Sequence, residues 1–143
     1  MATIPMTVQN DDPRKLRNLI ERAGTLARQH DVPSVVVGLA AGADDLSFPD
    51  FIDYLQAVLR VEDGIFRMTR DRAVLHLADV EPDQAREVVE RLYREFADEY
   101  PARREPGFRL RMLAIVPDED EEPSVKAVLK ALFDAEEELP SIH

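Results

Sequence analysis

The spacing of apolar residues switches along the chain between the helical period and the extended one, and each switch marks an element. In DDPRKLRNLIERAGTLARQHD, Leu16, Leu19, Ile20, Ala23, Leu26 and Ala27 fall on one stripe. Asp12 is placed to cap and Pro13 suits the first helical position, so a helix is predicted that Pro33 ends. SVVVGLAA follows, apolar without alternation, the pattern of a strand covered on its faces or of a buried helical turn. Ser47 with Asp50 three residues on forms a capping-box-like start, and Phe48, Phe51, Ile52, Leu55, Val58 and Leu59 recur at helical spacing up to about Arg60. Two strands are predicted at about 64–69 and 73–79, joined as a hairpin by a polar turn. A third helix starts at Pro82, with Ala85, Val88, Val89, Leu92, Tyr93 and Phe96 inward. GFRLRMLAIV alternates at Phe108, Leu110 and Met112 and predicts a fourth strand. A last helix is predicted from about Ser124 to Glu138 on Val125, Val128, Leu129, Leu132 and Phe133.

The order helix, strand-helix-strand-strand-helix-strand, helix is that of an α+β, ferredoxin-like antiparallel sheet with helices on one face and an extra helix at each terminus. One domain is expected over residues 11–139, with an extended or disordered stretch at 1–10 and a tail at 140–143.

Composition narrows the function. The absence of cysteine removes disulfides, thiol nucleophiles and thiolate metal sites. The longest apolar run, VVVGLAAGA, is far shorter than the ~20 residues a membrane helix needs, so a cytoplasmic chain is expected with no membrane partner. A formal net charge of -11 argues against broad nucleic-acid binding, which needs a basic footprint. The charge is uneven. Residues 118–143 hold nine acids against Lys126 and Lys130, leaving -7 there, whereas residues 60–72 carry four arginines against three acids. Because fields are screened beyond ~8 Å at physiological salt, that basic stretch can still hold a small anion.

The residues then resemble the GGDEF (diguanylate cyclase) family, a bacterial signalling family built on this topology. The family pattern R-x-G-G-D-E-F lies over Arg67-Met68-Thr69-Arg70-Asp71-Arg72-Ala73, sharing Arg67 and Asp71. DDPRKLRNL resembles the family's opening motif at Asp11, Leu16 and Asn18, and VLKALFDAE its closing one at Ala131, Leu132 and Ala135, with Phe133 for tyrosine. RVED, Arg60 to Asp63, stands five residues before TRDRA, the register of the family's inhibitory R-x-x-D site. The resemblance implies that this site binds cyclic di-GMP, commonly as a stacked dimer bridging two domains. Arg60, Asp63 and Arg67 are the residues it points to. An arginine fork suits phosphate or a guanine edge, and an aspartate can accept from guanine N–H groups.

The same resemblance argues against catalysis. The family reaction needs carboxylates on the first strand and in the hairpin to hold divalent cations, so that two GTP molecules can be joined. Residues 32–43 contain no Asp or Glu, Thr69 and Arg70 replace the hairpin glycines, Arg72 stands where the metal-binding acid would be, and Glu136 replaces a phosphate-reading lysine. A reversed charge at ~4 Å is worth on the order of 4 kcal/mol at an effective dielectric of 20. No cofactor or bound metal is expected.

The expected function is therefore a catalytically inactive GGDEF-like regulatory domain, with cyclic di-GMP as ligand and a protein partner or self-association. The alternative is a protein-interaction adaptor without nucleotide binding, resting on the acidic run at 118–122. GTP held as an effector without turnover is a third reading, opposed by the lost glycines. Arg70 and Arg72 read either as the relic of a nucleotide site or as solvated turn residues, with Asp71 bonding its own backbone. His76, inside a strand, is expected to be half-exposed or hydrogen-bonded.

Overall fold

The computed structural model describes residues 11–42, 45–100, 107–116, 124–133 and 141–142. Helix α1 (Pro13–His30) starts as its sequence dictates: Asp12 Oδ1 accepts the backbone N–H of Arg14 at 2.9 Å, and Pro13 follows the cap. Asp31, in the left-handed region at φ 56°, closes the helix. The run SVVVGLAA is strand β1 (Ser34–Ala41), and all but its last residue are buried. Helix α2 (Phe48–Val58) then leads to strands β2 (Gly64–Thr69) and β3 (Arg72–Ala78). Helix α3 (Pro82–Glu99) opens on a capping box of Glu81 and Gln84 and leads to strand β4 (Phe108–Ile115) and helix α4 (Val125–Phe133). The C-terminal part expected of α4 and the acidic run at 118–122 lie outside the described residues.

The strands form one antiparallel sheet in the order β2-β3-β1-β4, to which Ser141–Ile142 add a short fifth strand, β5, beside β4. The first four strands have the order that the expected topology requires. Strand β1 is central, bonded to β3 on one edge and β4 on the other. Its lack of alternation has a direct cause, because its two faces serve two cores. Val35, Val37 and Leu39 pack with α2 and α3 around Phe51, whose ring stacks on Phe108 at 5.3 Å. Val36 faces the opposite way, among Ile20 and Ala23 of α1, Val74 of β3 and Leu132 of α4. The two crossover helices thus share one face as expected, and the two terminal helices cover the other. Among the described residues no helix is long and apolar enough to cross a membrane.

Helix α2 is not capped by Ser47. That residue is itself helical (φ -86°, ψ -22°), and its side chain makes no cap bond. Asp45 does the work: Oδ1 accepts Ser47 N at 2.9 Å and Phe48 N at 3.0 Å, and Oδ2 accepts Gly107 N at 2.9 Å, tying the helix start to the approach of β4.

Glycine is required at position 38. A Cβ there would lie 2.8 Å from Leu132 Cβ and 3.1 Å from the Phe133 ring, and Leu132 Cβ cannot move without its helix. Gly38→Ala is therefore expected to destabilise the fold by about 1–3 kcal/mol. A lowered urea midpoint is the readout, and an unchanged one would show that α4 does not press on β1 as described.

Candidate functional site

The α2–β2 connection carries Arg60, Glu62 and Asp63, and its geometry begins with the aspartate. The Asp63 side chain is only 2% exposed. Oδ2 accepts Arg60 Nε at 2.9 Å, and Oδ1 accepts both an Arg60 terminal nitrogen at 3.0 Å and the Ala78 backbone N–H at 2.9 Å. The Arg60 fork also donates to Ala78 O at 2.7 Å, and its Nε lies 3.2 Å from Glu62 Oε1. The pair thus clamps the end of β3, just before Asp79 turns through φ 58°. Asp63 holds the Arg60 guanidinium more firmly protonated than usual. About half of the Arg60 side chain remains exposed.

That exposed part borders an open groove of about 650 Å³ against α3, lined by Arg60, Asp79, Gln84, Glu87, Arg91 and Arg94 among others. Arg91 and Arg94 were not singled out from sequence. Their spacing with Glu87 and Gln84, three or four residues apart along α3, was the available signal.

Arg67 does not line this groove. It lies on edge strand β2 with its side chain 15% exposed, donating to Asp53 Oδ1 and Gln56 Oε1 of α2, both at 2.6 Å. Its backbone N–H donates to Asp11 Oδ2 at 2.8 Å, and its carbonyl accepts Asp11 N at 2.9 Å. Arg60 and Asp63 are therefore brought together, and Arg67 is bound to other groups.

The hairpin turn is held by local side-chain and backbone bonds. Asp71 Oδ1 accepts the Thr69 hydroxyl at 2.6 Å, in place of the expected bond to its own backbone, and the Asp71 carbonyl accepts Ala41 N at 2.8 Å. Neither turn residue has a positive φ, and a register shift between Arg67 and Thr69 absorbs the difference from a glycine-type hairpin turn. Arg72, the first residue of β3, is exposed, and its guanidinium carbon sits 5.5 Å above the centre of the Phe133 ring. Among the described residues no three acidic, His or Cys side chains gather where they could hold a metal. Hard cations need several oxygen ligands, and a cationic side chain beside a carboxylate-free β1 does not fit them.

His76 departs from its expectation. It faces α1 from β3, is 1% exposed, and its Nε2 has no hydrogen-bond partner among the described residues. It borders a cavity of about 360 Å³ that Lys15, Asn18, Arg22, Glu62 and Asp63 also line. Burial pushes the imidazole down from 6.5 to about 4; Asp63 opposes the shift and Arg22 adds to it. The sheet position was legible, but its burial depended on which face α1 would cover.

Two stability effects follow. Neutral His76 imposes no protonation penalty above pH 6.5, so stability is expected to fall as the pH drops from there towards about 4. The loss is on the order of 3 kcal/mol, with a shallower slope in His76→Leu under denaturant titration across that range. Asp63→Ala would leave the Ala78 N–H unpaired and release Arg60, at about 1–3 kcal/mol; a variant as stable as the parent would show that the clamp holds nothing.

No protein-family model and no curated protein sequence matches the chain. Solved structures match it by fold. PelD 158-CT from Pseudomonas aeruginosa PAO1 superposes with a TM-score of 0.61 at 19% identity, over 85% of this chain and 45% of that one. This chain thus spans under half the length of the PelD chain. A DGC protein from Thermotoga maritima superposes with a TM-score of 0.56, also at 19% identity, over 83% of this chain and 89% of that one. The chain therefore has a GGDEF-like α+β fold.

Proposed function

We propose that the chain is a non-catalytic GGDEF-like regulatory domain that binds cyclic di-GMP at the groove between the α2–β2 loop and α3. The observation that carries the reading is the convergence of Arg60 with Arg91 and Arg94 on one open groove beside Asp63. Cyclic di-GMP offers two phosphates and two guanine edges, and arginine forks suit both. Asp63 already accepts three hydrogen bonds, so guanine gains access to it only as Arg60 swings from the carboxylate to the ligand. Arg67 stays with Asp53 and Gln56 and acts by holding the edge strand in place. The non-catalytic part rests on Thr69, Arg70 and Arg72 in the hairpin and on the carboxylate-free β1.

A protein-interaction adaptor without nucleotide binding is the second reading. It is favoured by the same carboxylate, which the protein itself engages on both oxygens.

Titration calorimetry on the whole chain separates the two. Saturable cyclic di-GMP binding is expected, weakened about tenfold or more by Arg60→Ala and by Arg91→Ala, the ~1.4 kcal/mol of one charge-assisted contact. No heat at high micromolar ligand, or equal binding by Arg60→Ala, would leave the adaptor reading.

A further inference from the structure

At the other end of the α2–α3 pair three aromatic rings converge. Tyr54 of α2 lies with its ring centre 5.6 Å from Phe96, Phe96 lies 5.3 Å from Tyr100, and Tyr54 meets Tyr100 at 6.4 Å with the planes at 86°. Phe96 is buried and forms the floor, whereas Tyr100 is 39% exposed, unusually open for a large ring in this chain. The three rings border a cavity of about 200 Å³, and the remaining lining residues are Asp50 and Asp53. None of Arg60, Arg91 and Arg94 lines this cavity, and Asp53 is shared with Arg67.

The chemistry of that lining is selective. Ring faces carry negative quadrupoles and attract cations, and carboxylates at the rim add charge and hydrogen-bond acceptors. A phosphate or a carboxylate ligand would face the Asp50 and Asp53 carboxylates and the ring faces. The surroundings reinforce the sign, because the Tyr54 hydroxyl is held in its protonated form first by burial and then by the charges of Glu95 and Glu99. The rim already shows the contact in miniature, with the Arg67 guanidinium donating to Asp53 Oδ1 at 2.6 Å. Elsewhere in the chain a guanidinium lies over an aromatic face, Arg72 over Phe133.

We propose that this cavity is a recognition site for an arginine side chain presented by a basic segment of a partner protein. Arginine is favoured over lysine because a planar guanidinium can stack on one ring while its edge donates to a carboxylate, whereas an ammonium is more strongly hydrated and presents no flat face. The carboxylates of Asp50 and Asp53, with Glu95 and Glu99 close enough to act on Tyr54, supply the local complementarity that draws a basic segment to the cavity.

The chain has three tyrosines and no tryptophan, and two of the tyrosines line the cavity, so ring resonances and tyrosine fluorescence report on it directly. The probes are acetyl-Gly-Arg-Gly-amide and its lysine and citrulline counterparts, titrated into the whole chain. The arginine peptide is expected to shift the Tyr54 and Tyr100 rings saturably, the lysine peptide more weakly, and the neutral citrulline peptide not at all. Tyr100→Leu, which keeps apolar bulk but removes a ring face, should weaken the arginine peptide about fivefold, or ~1 kcal/mol. Tyr54→Phe, which keeps the ring, should bind as the parent does. Citrulline binding as tightly as arginine would overturn the proposal, as would tighter binding of lysine or no saturable shift at millimolar peptide. The citrulline comparison uses the unmodified chain and holds even where Tyr100→Leu fails to fold.

Discussion

Strand β1 is bonded on both edges and buried on both faces, and the rest of the molecule is arranged to satisfy it. Its backbone groups are taken up by β3 and β4, so its side chains decide what approaches from above and below. On the α2–α3 side Val35, Val37 and Leu39 present bulk, and the aromatic cluster around Phe51 fills the space over them. On the other side Gly38 provides the small surface against which Leu132 of α4 comes close. A carboxylate anywhere from Val35 to Ala40 would be desolvated whichever way it pointed, and an unpaired buried charge is among the costliest features a core can carry. The packing that secures the sheet is thus also what denies it an acidic first strand.

That arrangement explains which parts of the fold were legible in the sequence. The uninterrupted apolar run of β1, the stripe of α1 with its Asp12 cap and the hairpin were all readable, because local pattern and tertiary role agree there. Three features were not. Ser47 stands at a proper capping position, but Asp45 reaches the same N–H groups and Gly107 as well, a long-range bond no local pattern contains. Two residues of β5 are too few to carry a period. The burial of His76 depended on α1 lying over its face of the sheet. The site was half legible for a similar reason. Arg60 and Asp63 are neighbours in sequence, whereas Arg91 and Arg94 join them only once α3 has docked.

The Arg60–Asp63 clamp has a structural duty that competes for the same atoms with the ligand role proposed for it. As a structural device it satisfies the Ala78 N–H and C=O at the end of β3 and fixes the loop that leads into β2. As a ligand site it must give up part of that. Under that proposal a phosphate would replace the carboxylate as partner to the same fork, charge for charge. Asp63 also borders the cavity in front of His76, so a change at the clamp reaches the α1 side of the sheet through one residue.

The α2–α3 pair carries different chemistry at its two ends. Asp50, Asp53 and Tyr54 lie along α2 and Arg60 just past its end; along α3, Arg91 and Arg94 precede Phe96 and Tyr100. The groove at the Arg60 end is mixed in charge, with Arg60, Arg91 and Arg94 set against Asp79, Glu87 and Glu90, whereas the carboxylates of Asp50 and Asp53 rim the aromatic cavity. Fields are screened beyond ~8 Å at physiological salt, so these local sets of charges matter more at each end than the sum over the chain. The bare net charge of -11 therefore describes neither end.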